Sequence, residues 1–519
     1  MVKNLFNLKY FLKKEYDYYF SFFFGALLVL CLPPFNFYYF LFPSLTFLFL
    51  KSYNADSNKN AFYIGLLFGI SFFLFGLYWI FNSFLVRGGL YFYYIPFLLI
   101  ILSLFLSIFI GIVSFLNYKF KTNLYFNIIF FSIFWTFCEI IRGYIFTGFP
   151  WNLIAHSLSN FEILIQICSI FGVYGLTFFT IIFVLFISIF FINLKERKII
   201  FLYTGLFIFL LIYSFGYFRL KNSNLEEYSN SIFRVVQPNI NQKDKLNYSK
   251  IEENYKKIID LSFHNKMGSL NISENLFILW PETAVLNVDH IKSYFIFNKI
   301  KKNLKKDELI LTGIFKNEKK NSFFNSVIAI NNNLEANFIY DKVHLVPFGE
   351  YIPFSNYFKR FGFNFNNLEK GSNLQNVVKY KNLPNIKTLI CYEIIFPGKF
   401  IKNKDEILIL NFTNDAWFGK TIGPHQHFVN SIFRSVEEGK QLIRVANTGI
   451  SGSVDPYGRI LNKLQLNHEG YFDTKIFIAK KENINLETVY SKYKNNLIIF
   501  LLIILFFLFS ILKYKNLKI

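Results

Sequence analysis

The sequence predicts a polytopic α-helical membrane domain of about eight spans joined to an α+β domain. The first observation is composition: of 519 residues, 53% are hydrophobic and 21% aromatic, with 72 Phe, which is too apolar for an ordinary soluble protein of this length. The second is placement, because residues 18–217 and 496–512 are nearly all apolar, whereas residues 218–494 have a mixed composition. Three segments follow: a transmembrane domain of about seven spans at 1–217, a globular domain at 218–494, and a C-terminal transmembrane helix with a cytoplasmic tail at 495–519.

The apolar segments divide into individual spans, since a helix needs about 17 to 25 apolar residues to cross a hydrocarbon core of roughly 30 Å. The predicted spans are 18–34, 35–50, 61–83, 90–116, 124–144, 161–192, 199–217 and 496–512. Pro33-Pro34 separates the first two, so they form either one re-entrant hairpin or two short helices. The long spans at 90–116 and 161–192 are expected to tilt or to protrude.

Lysine and arginine residues in the short loops predict the orientation, because cytoplasmic loops carry the excess of positive charge. With the N-terminus inside, the cytoplasmic segments hold Lys3, Lys9, Lys13, Lys14, Lys51, Lys59, Lys119, Lys121, Lys195, Arg197, Lys198, Lys513, Lys515 and Lys518. The opposite short loops hold little beyond Arg87 and Arg142. We therefore expect both termini in the cytoplasm and residues 218–494 in the periplasm of a Gram-negative cell, whose inner membrane holds the chain.

The net charge of +22 does not indicate a nucleic-acid partner. No basic stripe with interleaved aromatic residues marks a compact nucleic-acid-binding module. Many of the lysines determine the membrane topology, and others lie beside asparagines in predicted surface loops. The plainer explanation of the positive charge is an organism whose codon usage favours Lys, Asn, Ile and Phe. The expected partners therefore include the membrane and exclude nucleic acid.

The four cysteines fall into two groups. Cys31, Cys138 and Cys168 lie in predicted spans, where a buried thiol behaves as a small hydrophobic group. No CxxC pair occurs, so neither a zinc site nor a disulfide framework is predicted. Cys391 lies outside the spans, in a domain expected to face an oxidising compartment. Because a lone thiol there is at risk of oxidation, its presence favours a role as a nucleophile.

Strand-like runs alternate with helix-like stretches in the globular segment, which predicts an α/β or α+β domain with its own core. The strand-like runs are Ile232–Val236, Leu276–Leu279, Leu309–Thr312, Ser326–Ile330, Ile386–Ile390, Ile407–Asn411, Leu442–Ala446 and Ser451–Asp455. The helix-like stretches are Ser249–Phe263 and Phe428–Lys440. Residues 354–378, rich in Asn, Phe and Gly, are expected to form an excursion loop.

Three residues at the ends of such runs have the chemistry for acyl transfer. Glu282 follows Pro281 after an apolar run, where partial desolvation raises its pKa toward that of a general base. Lys342 offers an ammonium to an oxyanion or a thiolate. Cys391 ends a strand and opens a predicted helix, whose N–H groups favour a nucleophilic thiolate. Taken singly, Glu282 is more often a surface carboxylate, Lys342 a solvated lysine and Cys391 a buried core thiol. Their occurrence together, in this order and with these flanking residues, is not independent and favours the catalytic interpretation.

Longer motifs accompany these three residues. In the globular segment they are Trp280-Pro281-Glu282-Thr283, Asp341-Lys342-Val343-His344-Leu345-Val346-Pro347-Phe348-Gly349-Glu350-Tyr351-Ile352-Pro353, Cys391-Tyr392-Glu393, Asn414-Asp415-Ala416-Trp417-Phe418-Gly419, Gly423-Pro424-His425-Gln426-His427 and Arg444-Val445-Ala446-Asn447-Thr448-Gly449-Ile450-Ser451-Gly452. In the membrane segment they are Glu139-Ile140-Ile141-Arg142-Gly143 and Gly148-Phe149-Pro150-Trp151-Asn152. Together they resemble the nitrilase superfamily, and most closely its membrane branch, the apolipoprotein N-acyltransferases. The resemblance spans nearly the whole chain and implies an αββα sandwich for the globular domain.

The resemblance assigns roles to the three residues. By it, Glu282 is the general base, Lys342 the partner of the oxyanion and thiolate, and Cys391 the nucleophile. Glu350, eight residues after Lys342, matches the family's second acid and is expected to orient the catalytic groups.

Positions beside these residues carry further expectations. Tyr392 and Glu393 match residues that the family needs next to the nucleophile. Leu246 stands where some members have a tryptophan after the Val-Gln-x-Asn-Ile stretch, so no stacking or lid role is carried over. His425 stands where members often have Trp, and we expect His425 and His427 to be structural or lipid-facing rather than metal ligands.

The resemblance implies a ping-pong acyl transfer that needs no metal or nucleotide cofactor. Cys391 takes the sn-1 chain of a membrane phospholipid, expected to be phosphatidylethanolamine, and passes it to the free α-amine of a diacylglyceryl-cysteine on an apolipoprotein during lipoprotein maturation. One alternative is a membrane-anchored nitrilase-type amidase that hydrolyses a small amide, for which a single anchor would suffice. The other is a transporter whose outer domain only binds ligand, which leaves the Glu–Lys–Cys set unexplained.

Aromatic residues near the predicted site and the membrane surface are expected to contact lipid or to act as lids. They are Trp417, Phe418, Phe149 and Trp151, and the loop at 354–378 is a second lid candidate. Glu139 and Arg142 lie three residues apart in a predicted span, where charges are costly. Either they form a polar wall near the lipid head group or they are a buried pair that holds helices together, and the sequence favours neither.

Overall fold

The computed structural model describes residues 16–87, 91–192, 199–245, 247–264, 275–319, 322–353, 355, 367–372, 385–401, 405–479 and 487–516. Leu246 and most of the predicted loop at 354–378 lie outside the described residues. The chain divides into two compact units, one formed by Met1–Lys221 with Lys492–Ile519 and the other by Asn222–Ser491.

The first unit is built of apolar helices. Its helices are α1 Asp17–Val29, α2 Leu41–Tyr53, α3 Asn58–Gly76, α4 Ile80–Arg87, α5 Tyr91–Lys119, α6 Leu124–Arg142, α7 Glu162–Ile165, α8 Cys168–Ile192, α9 Ile199–Lys221 and the chain's last helix, Asn496–Asn516. Within the described ranges, six helices are at least 18 residues long and apolar enough to cross a membrane. The apolar helices α1 and α2 are shorter, with 13 residues each. Six long helices and two short ones are compatible with the predicted number of about eight spans.

Glu139 and Arg142, in the last turn of α6, bind the segment that follows this helix. The Glu139 carboxylate accepts hydrogen bonds from the backbone N–H of Ile154 (3.0 Å) and from the Thr177 hydroxyl (2.9 Å). Arg142 Nη1 donates to the backbone carbonyl of Trp151 at 2.7 Å. Buried charges are tolerated where they are hydrogen-bonded in this way. Of the two interpretations, these contacts therefore favour a structural role, in which each charge holds the following segment against the helices.

Trp151 lies in the interior of the first unit. Its side chain is 1% exposed, and its ring packs between Trp79, at a centroid distance of 4.8 Å, and Phe149, at 5.9 Å with nearly parallel planes. Phe149 is half-buried. The side-chain amide of the next residue, Asn152, donates to the carbonyl of Gly76 at 3.1 Å. The Phe149–Asn152 segment is therefore packed against the helices through both aromatic and polar contacts.

The second unit contains two β-sheets flanked by helices. Its described elements are β1 Leu225–Gln237, α10 Gln242–Lys245, α11 Ile251–Phe263, β2 Asn275–Val285, α12 Val288–Ser293, α13 Asn298–Asn303, β3 Leu309–Lys319, β4 Ser322–Ile330, β5 Ala336–Asp341, β6 Ile386–Ile390, β7 Leu408–Thr413, α14 Gly423–Glu438, β8 Gln441–Ala446, β9 Ser451–Val454, β10 Ile460–Leu464 and β11 Gly470–Ala479. The first sheet has the strand order β11-β1-β2-β3-β4-β5, and the second has the order β10-β9-β8-β7-β6. Strands β1 to β3 are parallel, as are β6 to β8.

Alternating apolar residues bury both faces of the first sheet. On β2, Leu276 and Ile278 pack into a core shared with α11, α12 and α13. The residues between them point the other way, and Phe277 packs with Phe412 of β7 in a core between the two sheets. Because successive side chains of a strand face opposite sides, this pattern requires a layer on each face. Helix α14 packs against the second sheet, which completes the predicted αββα sandwich and confirms the fold class.

Each predicted strand-like run overlaps an observed strand. Six of the runs lie within the strand, and the other two extend past it by one residue. Helix α14 begins five residues before the predicted start at Phe428, because Pro424 is well suited to the first helical turn. Strands β5, β10 and β11 were not predicted. All five residues of β10 are exposed or half-buried, and its sequence lacks the continuous apolar run by which a buried strand is recognised.

Candidate active site

The ends of three strands bring the three predicted catalytic residues together. Glu282 lies near the end of β2, Lys342 directly follows β5, and Cys391 directly follows β6. Lys342 Nζ lies 3.8 Å from Glu282 Oε1, and the thiol of Cys391 interacts electrostatically with both charges. All three residues are less than a tenth exposed, at 7%, 1% and 9% respectively. The structure thus places a carboxylate, an ammonium and a thiol in one buried cluster.

Backbone strain occurs at residues of the same cluster and of the loops beside it. Thr283 and Cys391 each have a φ of 50°, and Phe348 has a φ of 61°, which is the left-handed region that residues other than glycine seldom adopt. Gly313 of β3 permits the close approach of β2, since a Cβ atom at this position would lie 2.5 Å from Glu282 Cα. Such strain persists where the surrounding structure enforces it, and it is common at functional sites.

Lys342 carries the positive charge between two carboxylates. Its Nζ atom lies 2.9 Å from the Glu350 carboxylate, closer than it lies to Glu282. Burial by itself lowers the pKa of Lys342, but the charges of Glu350 and Glu282 outweigh it and hold the pKa above its ordinary value. Burial also raises the pKa of Glu282, although the charge of Lys342 opposes this. Lys342 therefore remains an ammonium at neutral pH, and Glu282 is a stronger base than an exposed glutamate.

Asn325, in the middle of β4, links the two carboxylates and was not singled out from the sequence. Its Nδ2 atom donates to Glu282 Oε1 at 2.7 Å and to Glu350 Oε1 at 2.9 Å. Its backbone carbonyl accepts a hydrogen bond of 2.8 Å from the N–H of Lys342, and the residue is 2% exposed. One side chain thus orients both acids around the lysine. The available indication was an amide side chain in the interior of a mostly apolar strand.

Glu393 connects the end of β6 to the end of β5. Its carboxylate accepts hydrogen bonds of 2.8 to 3.0 Å from the N–H groups of Ile390, Val343 and His344 and from the Tyr340 hydroxyl. Burial raises the pKa of Glu393, although these hydrogen bonds oppose the shift. A carboxylate with this many donors is well suited to fixing the spacing between two loops.

Tyr392 packs in an aromatic cluster beside the thiol. Its ring lies 5.7 Å from the His344 ring with planes 19° apart, and 5.0 Å from Phe396 with planes 84° apart. These are favourable stacked and edge-to-face arrangements. Burial raises the pKa of the Tyr392 hydroxyl above its ordinary value, so Tyr392 is neutral at physiological pH.

Lys245 is a second buried lysine at the site, and nothing in the sequence distinguished it from other lysines. Its Nζ atom donates to the backbone carbonyl of Glu282 at 2.8 Å and to Thr283 Oγ1 at 2.6 Å. Burial lowers the pKa of Lys245 to about 8, although the charge of Glu282 opposes the shift. This amine therefore holds the strained end of β2 in place.

Asp415, His427 and Arg444 form a further buried group next to the thiol. Atoms of Cys391, Asp415 and His427 that could bind a metal lie within 4.8 Å of one another. However, Arg444 Nη2 lies 2.7 Å from Asp415 Oδ2 and 3.0 Å from His427 Nδ1. Two of the three side chains thus already bind a guanidinium, which supplies the positive charge at this group.

The aromatic residues predicted as lipid contacts in this unit lie in the turn before α14. Trp417 and Phe418 belong to the 3₁₀ turn Asp415–Phe418 and are half-buried. The Phe418 ring packs edge-on against His427 at a centroid distance of 5.8 Å. His425 is half-buried on α14, and burial lowers its pKa. The turn therefore connects the buried group around His427 to the surface of this unit.

Comparison with known proteins gives consistent matches over both units. Residues 24–186 match the family described as the apolipoprotein N-acyltransferase N-terminal domain, and residues 235–484 match the carbon-nitrogen hydrolase family. An apolipoprotein N-acyltransferase of Rickettsia prowazekii is 36% identical over 88% of this chain and 90% of its own length. That of Rhizobium rhizogenes is 31% identical over 89% of this chain and 90% of its own. A solved amidase mutant of the nitrilase superfamily, from Nesterenkonia AN1, is 15% identical and covers 49% of this chain and 92% of its own, with a TM-score of 0.35.

A carbon-nitrogen hydrolase domain in a chain with helices of membrane-spanning length defines a membrane protein with a nitrilase-type domain. With relatives above 30% identity over nearly nine-tenths of its length, the chain belongs to the apolipoprotein N-acyltransferase family. It is an acyltransferase of a bacterial membrane.

Proposed function

We propose that this protein moves an acyl chain from a membrane phospholipid, through a thioester on Cys391, to the N-terminal amine of diacylglyceryl-cysteine on apolipoproteins. The observation that carries the proposal is the buried cluster in which the Cys391 thiol interacts with both Glu282 and Lys342. These are the groups that a thiol nucleophile needs, namely a base for its proton and a positive charge for the developing oxyanion.

In the first half-reaction, the Glu282 carboxylate takes the proton of the Cys391 thiol. The sulfur attacks the carbonyl carbon of the phospholipid ester, and the Lys342 ammonium stabilises the oxyanion that forms. Collapse of this intermediate breaks the ester C–O bond, and Glu282 returns the proton to the departing oxygen. The products are the acyl thioester and a lysophospholipid. We propose the sn-1 chain of phosphatidylethanolamine as the donor, as the resemblance implies.

In the second half-reaction, the neutral α-amine of the acceptor attacks the thioester carbonyl. Glu282 takes a proton from the attacking nitrogen, Lys342 again stabilises the oxyanion, and the C–S bond breaks. The Cys391 sulfur leaves and recovers a proton from Glu282. The products are an amide on the acceptor and the free enzyme, so the two steps balance without an added cofactor.

The remaining residues support this chemistry. Glu350 and Asn325 orient Lys342 and Glu282 through the contacts described above. Glu393 fixes the loop that carries the nucleophile, and Tyr392 packs beside it.

The positions of aromatic residues and the lysine distribution carry two further proposals. Trp417 and Phe418 contact the acyl chain, and Phe149, supported from within by Trp151, contacts lipid in the membrane. The transmembrane domain at 1–217 and the C-terminal segment at 495–519 place both termini in the cytoplasm, and the catalytic domain at 218–494 lies in the periplasm.

The direct test is intact-mass spectrometry of the purified protein after incubation with phosphatidylethanolamine, with Cys391→Ala in parallel. The expected result is an added acyl mass on the wild type alone, because the variant has no sulfur to form the thioester. Hydroxylamine or a diacylglyceryl peptide should remove the added mass. No adduct under conditions that trap thioesters would contradict the proposal, and ammonia release from small amides would support the amidase alternative instead.

Replacing Asn325 by Leu is expected to move the acid limb of the acylation-rate profile upward by roughly one pH unit. The hydrogen bond from Asn325 lowers the pKa of Glu282, so its loss keeps the base protonated to a higher pH. The measurement is the single-turnover rate of thioester formation between pH 4 and 9. Asn337→Leu, an exposed position on β5, is the matched control and should leave the limb in place. An unchanged limb in Asn325→Leu would show that Asn325 does not tune the base.

A further inference from the structure

A group of buried polar residues beside Cys391 takes no part in the two half-reactions above. Asp415 Oδ1 lies 2.8 Å from His427 Nδ1, and Asp415 Oδ2 accepts a hydrogen bond of 2.7 Å from Arg444 Nη2. The other ring nitrogen, His427 Nε2, lies 3.3 Å from the backbone carbonyl oxygen of Cys391. Asp415 and Arg444 are 0% exposed and His427 is 1% exposed, so water does not compete for these contacts.

The partners of His427 determine how its ring is held. A carbonyl oxygen can only accept, so His427 Nε2 carries a proton and donates it to Cys391. Burial and the charge of Arg444 lower the pKa of His427, so the ring is neutral and its unprotonated Nδ1 accepts the hydrogen bond of 3.0 Å from Arg444 Nη2. Burial by itself raises the pKa of Asp415, but Arg444 and then His427 outweigh it and hold this pKa well below its usual range. The Asp415 carboxylate is therefore ionised at neutral pH and holds the Arg444 guanidinium that donates to the ring.

The carbonyl that His427 binds belongs to a strained residue. A φ of 50° at Cys391 is a strained conformation that persists only where its surroundings hold it. The backbone torsion of this residue sets the direction of its Cα–Cβ bond and therefore of its sulfur. Asn411 Nδ2 lies 3.5 Å from the same carbonyl oxygen, and Arg444 Nη1 donates to Asn411 Oδ1 at 2.6 Å. Arg444 thus contacts both side chains that face this carbonyl.

Thr413 connects Asp415 to the thiol. Thr413 Oγ1 donates to Asp415 Oδ1 at 3.0 Å, and the Thr413 side chain lowers the pKa of the Cys391 thiol against the larger effect of burial. Asp415 therefore acts on the nucleophile by two routes, through Arg444 and His427 on the carbonyl and through Thr413 on the thiol. A buried ionic group has a desolvation cost that apolar side chains would avoid, so a specific role for it is expected.

We propose that Asp415, His427 and Arg444 are positioning residues that hold the Cys391 backbone and sulfur in the geometry needed for attack on the phospholipid ester. The inference rests on the proposed function, and it concerns the rate of acylation rather than the binding of phospholipid. None of the three reacts with the acyl group. The Glu282 and Lys342 side chains supply the chemistry, and this second group aims the sulfur.

The test compares three variants of the full chain in detergent micelles. His427→Leu removes the donor to Cys391, His427→Gln keeps an N–H donor of similar reach, and His425→Gln is the control two residues earlier on the same helix. The measured quantities are the single-turnover rate of thioester formation from phosphatidylethanolamine, the KM for this lipid, and the Tm. We expect about 100-fold slower acylation in His427→Leu with KM nearly unchanged, since small displacements of reacting atoms have effects of this size. His427→Gln should regain at least about a tenth of the wild-type rate, and His425→Gln should match the wild type.

Other outcomes would overturn the proposal. Equal losses in His427→Leu and His427→Gln, in step with a lower Tm, would show that His427 only packs the core. If His427→Leu does not fold, Thr413→Val replaces it, because this nearly isosteric change cuts the second route while preserving volume. Thr413→Val should slow acylation by about tenfold, and a wild-type rate would refute the positioning role. Absence of an acyl adduct on the wild type would refute the proposed function itself, whereas an acylated wild type beside an equally fast His427→Leu would refute this inference alone.

Discussion

Replacing Glu282 by Gln is expected to slow thioester formation by about 10³-fold, which is the range for loss of a general base. The amide keeps the size of the side chain and can still accept the hydrogen bond from Asn325, but it cannot take the proton of the Cys391 thiol. Burial raises the pKa of this thiol above its ordinary value, so very little thiolate forms at neutral pH without the base. The measurement is the single-turnover rate of acyl transfer from phosphatidylethanolamine to Cys391.

The same variant is expected to be at least as stable as the wild type. Burial raises the pKa of Glu282 above its value in the unfolded chain, so the folded state favours the protonated carboxyl. The contribution of Glu282 to the free energy of unfolding is fully present below its pKa in the unfolded chain. This contribution is lost as the pH rises through its higher pKa in the folded protein. The amide of Glu282→Gln stays neutral at every pH, so at pH 7 the variant avoids that loss, and its Tm should equal or exceed that of the wild type. A Tm well below the wild type would mean that the lost rate reflects misfolding, and the assignment of the base would fail.

Replacing Lys342 by Met is expected to lower both rate and stability. Loss of an oxyanion-stabilising group slows such reactions by about 10²–10³-fold. The change also leaves the carboxylates of Glu282 and Glu350 buried without their shared cation, and removing one partner of a buried ion pair costs about 3–5 kcal/mol. Because Lys342 lowers the pKa of Glu282, its loss should also move the acid limb of any remaining activity to higher pH. The measurements are the single-turnover rate, its pH profile and the Tm.

Two comparison variants serve as controls for Lys342→Met. Lys299→Met removes an exposed lysine that pairs with Asp260 at 2.9 Å and should change neither rate nor Tm measurably, since exposed ion pairs contribute little. Lys342→Arg keeps the charge, but its planar guanidinium does not fit the place of a compact ammonium, so a large loss of rate is expected there too. Full activity in Lys342→Met would exclude Lys342 from the site. The Tm is expected to fall in Lys342→Met but not in Glu282→Gln, because two acids share this one lysine.

Much of this molecule is encoded locally and was therefore predictable. Apolar runs of membrane-spanning length and alternating apolar residues on strands depend on periods of a few residues, so helices such as α8 and strands such as β2 are apparent in the sequence. Glu282, Lys342 and Cys391 were predicted from their order along the chain and from the motifs that flank them. Their meeting does not follow from strand ends alone, because β2 and β5 are not neighbours in the first sheet and Cys391 follows a strand of the second sheet.

Tertiary structure alone decided which side chains surround the cluster. Asn325 is 43 residues from Glu282 along the chain, His427 is 36 residues from Cys391, and Lys245 is 37 residues from Glu282. The turn types and sheet order that bring them within hydrogen-bonding distance leave no local pattern at these positions. The sequence by itself therefore determined the fold class and the membrane helices, because both depend on local periodicity, and it predicted the three reactive groups from the motifs that flank them. The hydrogen bonds that set the charge of Glu282 and the direction of the Cys391 sulfur exist only after distant strands have packed, because a hydrogen bond requires an approach within about 3 Å that no short stretch of sequence can specify.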